Sequence, residues 1–220
     1  MFYSIIIPIY NEVLELPKLL EEIEEYYHEG HQIILINDGS DDGSHEILTK
    51  NSFINTIHFE KNQGKGIAVK KGLSVAKNDK IIIFDGDREI NPSQIKKLMI
   101  LDQKHSINCA FASRYQLEFP INSFWDLGNL TFTFLFNFFH NSSVTDALCC
   151  AKSFYKNDIK ANKLISKKFD IDVEITSQLI KQKKNMKNVF VKYKRRYKRE
   201  GKKLELRDSL RILYRILINI

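Results

Sequence analysis

Two carboxylates stand two positions apart at the end of an apolar run, Ile81-Ile82-Ile83-Phe84-Asp85-Gly86-Asp87. On an extended chain such residues project to the same side, and Gly86 leaves the backbone open to a close ligand. The pair suits a hard divalent cation, Mg²⁺ or Mn²⁺, which takes one or two protein carboxylates and fills its shell with water and substrate phosphates. Two other segments share the form. Ile34-Leu35-Ile36-Asn37-Asp38-Gly39-Ser40 runs from a buried strand into an acidic glycine turn, where Asp38 can accept from a base N–H or a ribose hydroxyl. Ser44 is placed to cap a helix beginning near His45. In Asn62-Gln63-Gly64-Lys65-Gly66 the glycines and a following helix N-terminus favour an anion beside Lys65. That segment is no dinucleotide fingerprint, because Val69 stands where the third glycine belongs, and it lacks P-loop spacing. Taken singly, each segment reads as a solvated turn.

The elements that must position these residues alternate. Ser4–Ile9, Gln32–Asn37, Asn55–Glu60 and Lys80–Asp85 read as strands. Between them, Leu16, Leu19, Leu20 and Ile23 share one helical face, Ile67, Ala68, Leu73 and Val75 a second, and Ile95, Leu98 and Met99 a third. Alternation of this kind predicts an α/β fold with a largely parallel sheet, helices on both faces, and ligands at the carboxyl ends of the strands. Further on, Asn108–Ser113 and Val189–Tyr193 read as strands, Asp170–Lys183 as a helix and Leu206–Ile218 as a basic amphipathic helix. The aromatic stretch Phe124–His140 suits either core or a membrane interface.

With 43% hydrophobic and 28% charged residues, the chain has the composition of a globular domain, which argues against wholesale disorder. Cys109, Cys149 and Cys150 have neither metal-ligand spacing nor a disulfide framework and read as buried small hydrophobes. Met1–Ile9 lacks a basic leader and a cleavage site, so the expected home is the cytoplasm. Charge is unevenly spread: residues 181–220 carry 15 Lys/Arg and 3 Asp/Glu, whereas residues 1–180 are mildly acidic. Such a basic tail fits a phosphorylated substrate, anionic lipid or nucleic acid.

The ordered set Pro8-Ile9-Tyr10-Asn11-Glu12, Asn37-Asp38-Gly39-Ser40, Asn62-Gln63-Gly64-Lys65-Gly66 and Asp85-Gly86-Asp87 resembles the donor half of the family 2 glycosyltransferases. Downstream, Ala112-Ser113-Arg114-Tyr115, the loop Thr145–Ala151 around Asp146, and Phe169–Glu174 fall where that family has its Ser-Arg-Tyr segment, acceptor loop and acidic helix start. Tyr193-Lys194-Arg195-Arg196 and Glu200-Gly201-Lys202-Lys203-Leu204 resemble the polyprenyl-phosphate sugar transferase branch, typified by dolichyl-phosphate mannose synthases. The resemblance implies a GT-A fold: a single Rossmann-like domain with a mixed, mostly parallel central sheet flanked by helices. Residues 1–100 would bind the nucleotide-sugar, 101–205 the acceptor, and 206–220 would form the basic helix. Two departures stand out. The family's Asp-Ala-Asp is followed by Gln or His, where this chain has Gly86, Arg88 and Glu89, and Arg88 is expected to alter donor contacts. The Ser-Gly-Phe of the acceptor loop is replaced by Ala147-Leu148-Cys149-Cys150.

The implied activity is metal-dependent transfer of a sugar from a GDP- or UDP-linked donor to a polyprenyl phosphate, at the inner face of the membrane, in cell-envelope glycan biosynthesis. Asp85 and Asp87 would hold the cation, and Pro8, Tyr10, Glu12, Asp38, Lys65 and Gly86 would line the donor site. A phosphate monoester is largely dianionic at neutral pH and needs no general base, so Arg114, Arg196 and Lys202 become its candidate ligands. A hydroxyl acceptor on a glycan or glycolipid would instead need a carboxylate base from among Asp146, Asp172 and Glu174, with Asp146 favoured by its loop position. Two rival readings fit less well. A sugar-phosphate nucleotidyltransferase would open on a Gly-rich basic loop, which Pro8–Glu12 is not. Nucleic-acid binding through Tyr193 and Tyr197 in the tail leaves the three acidic clusters without a role. Partners are therefore expected to be a nucleotide-sugar, a polyprenyl phosphate or glycan, and a membrane surface, with no nucleic acid.

Overall fold

The computed structural model describes residues 1–51, 54–115, 123–182, 185–196, 201, 203 and 206–218. Its strands are β1 (Tyr3–Ile9), β2 (Gln32–Asn37), β3 (Asn55–His58), β4 (Lys80–Ile83), β5 (Cys109–Ser113), β6 (Lys152–Tyr155) and β7 (Met186–Phe190). The helices are α1 (Leu16–His28), α2 (Ser44–Lys50), α3 (Lys65–Val75), α4 (Ile95–Leu98), α5 (Phe124–His140), α6 (Ile171–Lys181) and α7 (Leu206–Ile218). One sheet takes them in the order β3-β2-β1-β4-β6-β5-β7. β1 pairs in parallel with both β2 and β4, while β6 runs antiparallel to β4 and β5. The mixed, mostly parallel sheet flanked by helices is the fold class expected.

The apolar strands explain themselves once both faces are covered. Ile5, Ile7 and Ile9 of β1 face a core with α1, while Ile6 faces a second core with α3 and α6. Burial on both faces requires the continuous Ile runs of β1, β2 and β4. Strand order reverses direction at β1, with β2 on one side and β4 on the other, so the ends of β1 and β4 flank a crevice.

Three expectations need correction, and one strand, β6, is not foreseen. β6 has a weak apolar signature, because two of its buried residues are Lys152 and Ser153. The Lys152 ammonium donates to the Asp172 carbonyl at 2.8 Å and to Thr176 Oγ1 at 3.0 Å, and Ser153 Oγ donates to the Leu98 carbonyl at 2.7 Å. The last strand begins at Met186, not Val189, because its register with β5 pairs Cys109 with Met186 and Ser113 with Phe190. Tyr193 instead bridges Ile90. At α2 the N-cap is Gly43, with φ 97°. Ser44 is already helical, and its hydroxyl accepts from the Glu12 N–H at 3.0 Å. Lastly, β4 ends at Ile83, so Asp85 lies beyond the strand.

The aromatic stretch is helix α5, capped by the Ser123 side chain and closed by Asn141 in the left-handed region. Phe136 is fully buried, whereas Phe134 and Phe138 are 68% and 72% exposed. On α7, Ile212 and Ile216 are buried and Leu210 is 71% exposed. Arg215, expected on the basic face, is buried against Asp170 at 2.9 Å. Among the described residues, no helix is long and apolar enough to cross a membrane.

Gly72 lets α3 lie close on the sheet: an added Cβ would stand 2.3 Å from Ile6 Cγ2. Gly72→Val should therefore destabilise by about 1–3 kcal/mol through overpacking. At roughly 2–4 °C per kcal/mol, a thermal melt resolves this loss.

Candidate active site

The ends of β1, β2 and β4 and the N-termini of α3 and α6 surround a cavity of about 620 Å³. Pro8, Tyr10, Glu12, Asp38, Lys65 and Gly86 line it. So do Asp85, Asp87, Arg114 and Arg196. Of the expected site residues, Asp146 lies behind this lining, and Lys202 lies outside the described residues.

Its walls are joined by hydrogen bonds between turns. Asn11, at φ 51°, exchanges side-chain and backbone bonds with Asp41, and its N–H donates to Ser40 Oγ at 3.0 Å. The Asp38 carboxylate accepts from the N–H groups of Gln63 and Gly64 at 2.7 and 2.8 Å and from Asn62 Nδ2 at 3.0 Å. Burial pushes its pKa up, and those backbone donors pull against it. Asp38 thus holds the loop before α3 on the end of β2. The φ of Gly39 is 67°, and a Cβ there would strike the Lys61 backbone at 2.3 Å.

Lys65 occupies the centre. Its Nζ lies 2.8 Å from Asp85 Oδ1 and 2.7 Å from Asp172 Oδ2. Burial works against its charge, but Asp172 and Asp85 prevail and hold its pKa well above the ordinary value. Burial likewise opposes ionisation of Asp85, and Lys65 with a hydrogen bond from the Cys150 thiol keeps its pKa low. Asp87 has no such relief. Burial, Asp85 and Glu89 push its pKa up to about 7, against the pull of Arg196 at 3.4 Å.

A divalent cation fits this arrangement. Asp87 is a half-buried carboxylate short of positive charge, with Asp85 beside it, and oxygen donors suit Mg²⁺ or Mn²⁺. Among the described residues, no three His, Cys, Asp or Glu side chains cluster to hold an ion. Water and phosphate oxygens would complete its shell. Arg88, expected to alter donor contacts, is not part of the cavity lining. At φ 55° it turns to α1 and pairs with Glu15 at 2.7 Å and Glu22 at 2.8 Å.

On the acceptor side the pairings are tight. Arg114 donates Nε to Asp146 Oδ2 at 2.7 Å and Nη2 to Oδ1 at 2.8 Å, and its backbone N–H adds a third bond at 3.1 Å. Asp146 therefore orients Arg114, and the cavity sees the guanidinium. Glu12 takes Arg196 Nη1 at 2.7 Å and Nη2 at 3.1 Å, and also Lys203. Tyr193 is no stacking surface for bases: the Arg114 and Arg195 guanidiniums lie 5.4 and 5.7 Å from its ring centre, and its hydroxyl donates to Glu89 at 2.9 Å. Tyr197 lies outside the described residues.

Sequence reasoning missed Glu89, Cys150 and Lys203. Glu89 and Lys203 each stand beside a residue that had been singled out. The Cys150 thiol, read as a small hydrophobe, carries no local signal for its bond to Asp85.

The family model of glycosyl transferase family 2 matches residues 4–161. The chain belongs to glycosyl transferase family 2. It is 34% identical over 119 residues to an uncharacterized glycosyltransferase, YkcC, of Bacillus subtilis, covering 51% of this chain and 36% of that one. It is 33% identical over 104 residues to the undecaprenyl-phosphate 4-deoxy-4-formamido-L-arabinose transferase of Aeromonas hydrophila, covering 44% of this chain and 32% of that one. These matches thus span about a third of the length of either relative. Glucosyl-3-phosphoglycerate synthase from Mycobacterium tuberculosis superposes with a TM-score of 0.77 at 14% identity, over 99% of this chain and 80% of that one. A structure of that enzyme with Mn²⁺, UDP and phosphoglyceric acid scores 0.75 at 14% identity, over 99% and 78%. At such identities the likeness establishes the fold.

The raised pKa of Asp87 sets a pH dependence. Above an ordinary carboxylate pKa the unfolded chain has lost this proton while the folded chain keeps it, so Asp87 costs stability progressively as pH rises from 3.8 to about 7. A cation that binds the ionised carboxylate offsets that cost. Mn²⁺ should therefore raise the melting temperature more at about pH 8 than at about pH 6, and Asp87→Asn should abolish both the shift and its pH dependence.

Proposed function

We propose that this chain transfers a sugar from a nucleoside-diphosphate donor, UDP- or GDP-linked, to a polyprenyl phosphate at the inner face of the membrane. The observation that carries the acceptor is the state of the possible bases. Both Asp146 oxygens are taken by Arg114, and Glu174 accepts from the Ile165 and Ser166 N–H groups at 2.9 and 2.8 Å. Asp172 is paired with Lys65. With its carboxylates so engaged, the site suits an acceptor that arrives already anionic, and Arg114 and Arg196 face the cavity to receive one.

In this reading Asp87, with Asp85 beside it, would hold a cation that would offset charge developing on the leaving diphosphate. The remaining work falls to side chains. Asp38 and the Pro8–Glu12 segment seat the nucleoside, and Lys65 keeps Asp85 ionised and in place. Arg114, fixed by Asp146, and Arg196 orient the acceptor phosphate for attack on the sugar carbon. No proton has to be removed from the attacking oxygen. The undecaprenyl-phosphate transferase relative supports this acceptor class, and the Mn²⁺ and UDP bound to the structural neighbour support the donor and cation.

The membrane reading rests on α5 and α7, which pack together. Phe134 and Phe138 on one and Leu210, Tyr214 and Leu217 on the other are exposed, with Arg207 and Arg211 at the cavity rim. Aromatic and aliphatic side chains beside arginines suit an anionic bilayer surface.

One observation favours a hydroxyl acceptor. Asp172 lines the cavity, and its Oδ1 has no hydrogen-bond partner among the described residues. An assay with labelled nucleotide-sugars separates the two readings. Asp87→Ala should lose at least about a hundredfold in rate, as expected when a main electrostatic stabiliser is removed. Asp172→Asn should keep transfer to polyprenyl phosphate within about tenfold, well short of the loss of a general base. Transfer to a glycan alone, abolished in Asp172→Asn, would establish the hydroxyl reading. Flotation with phosphatidylglycerol vesicles checks the surface: the native chain should float and a Phe134→Asp/Phe138→Asp variant should not.

A further inference from the structure

Three bonds tie the turn after the cation carboxylates to the basic segment that follows β7, and all three end on Glu89. The Lys194 N–H donates to the Glu89 carbonyl at 2.7 Å. The Arg196 N–H donates to Glu89 Oε1 at 3.0 Å, and the Tyr193 hydroxyl donates to Oε2 at 2.9 Å. Glu89 is two residues from Asp87, and the bridge between Ile90 and Tyr193 continues the same seam.

The guanidinium at the end of this seam is only partly satisfied. Nη1 and Nη2 of Arg196 reach Glu12, and Nη2 also lies 3.4 Å from Asp87 Oδ2. Its Nε is buried and has no partner among the described residues. Arg196 thus stands as counter-charge to the carboxylate that a cation would occupy, with one donor unused. A divalent ion on Asp87 would repel the guanidinium and remove that contact. That would release one Nη2 N–H for another anion within the cavity, while Glu12 keeps Nη1 and the other Nη2 N–H.

We propose that Glu89 is a positioning residue: it anchors the Arg196 backbone while the guanidinium exchanges Asp87 for a substrate phosphate once the cation binds. The inference rests on Arg196 as a phosphate ligand. Its consequence is order and linkage. With the cation absent, Arg196 is engaged at Asp87 and Glu12, and the phosphate binds poorly. With the cation bound, the released Nη2 N–H is available, and Glu12 with the Glu89 seam holds the guanidinium in place. Each ligand must then strengthen the other by the same factor. Because Glu89 acts through the backbone of Arg196, its loss should uncouple the two sites without emptying the cation site.

Calorimetry with the native chain, Mn²⁺ and farnesyl phosphate tests this without turnover, and glycerol phosphate serves as a probe lacking the prenyl chain. Mn²⁺ should tighten binding of the phosphate probe by about tenfold, within the usual range of coupling between sites. Glu89→Ala should retain Mn²⁺ binding and lose the coupling. Glu89→Gln, which keeps volume and one acceptor oxygen, should retain part of it. Arg196→Ala should bind the probe weakly, with or without Mn²⁺. Full coupling in Glu89→Ala overturns the proposal, as does loss of Mn²⁺ binding there, which would make Glu89 a ligand of the ion. Coupling that survives in Arg196→Ala also overturns it, since the probe would then sit on the cation itself. If glycerol phosphate shows the coupling and farnesyl phosphate does not bind, the prenyl acceptor fails and the role of Glu89 stands. If neither probe binds with Mn²⁺ present, the exchange is refuted.

Discussion

A single buried ammonium organises this molecule's reactive end. Lys65, at the first turn of α3, bridges Asp85 beyond β4 and Asp172 at the start of α6. Three elements from distant parts of the chain therefore meet through one charge. Removing one partner of a buried ion pair costs about 3–5 kcal/mol in general, because the other is left uncompensated. Here the pair also divides the work of the two acidic residues. Asp85 is neutralised from below and kept ionised, while Asp87 is left for a cation.

The same logic of shared charge recurs around the cavity. Asp146 fixes Arg114, Glu12 gathers Arg196 and Lys203, and Asp170 holds Arg215 so that α7 closes the rim. Arg114, Arg196 and Lys203, which face the ligand space, are each paired with a carboxylate. That arrangement keeps positive charge available without leaving it free to wander, which is what recognition of phosphate requires. It also means that a carboxylate conspicuous in the sequence can serve as the holder and not as the reagent. Asp146 is such a residue: its place in a loop suggested a base, and its two oxygens are both bonded to Arg114.

Most of the donor half could be read without coordinates. β1, β2 and β4 are continuous apolar runs, each followed within a few residues by its polar cluster, so strand, turn and ligand-facing residues lie in one short segment. Strand β6 was invisible for the opposite reason. Two of its three buried positions are Lys152 and Ser153, which are buried because a carbonyl and a hydroxyl from α6 and a carbonyl from α4 await them. β7 was misplaced by three residues, since an edge strand takes its register from β5 and not from its own pattern.

By itself the sequence determined the α/β alternation, the order of the acidic strand ends, the Asp85-Gly86-Asp87 pair and the basic character of the C-terminal segment. These are local properties, set by side-chain periodicity and by spacing along a few residues. Tertiary structure alone decided which charges meet: Lys65 with Asp172, Arg114 with Asp146, Glu12 with Arg196, and Arg88 with Glu15 and Glu22. Coulombic partners are chosen by distance in space and by shared burial, and neither is written in the neighbouring residues. For the same reason Glu89, a departure from the family pattern by sequence, became in three dimensions the link between the cation turn and the segment that carries Arg196.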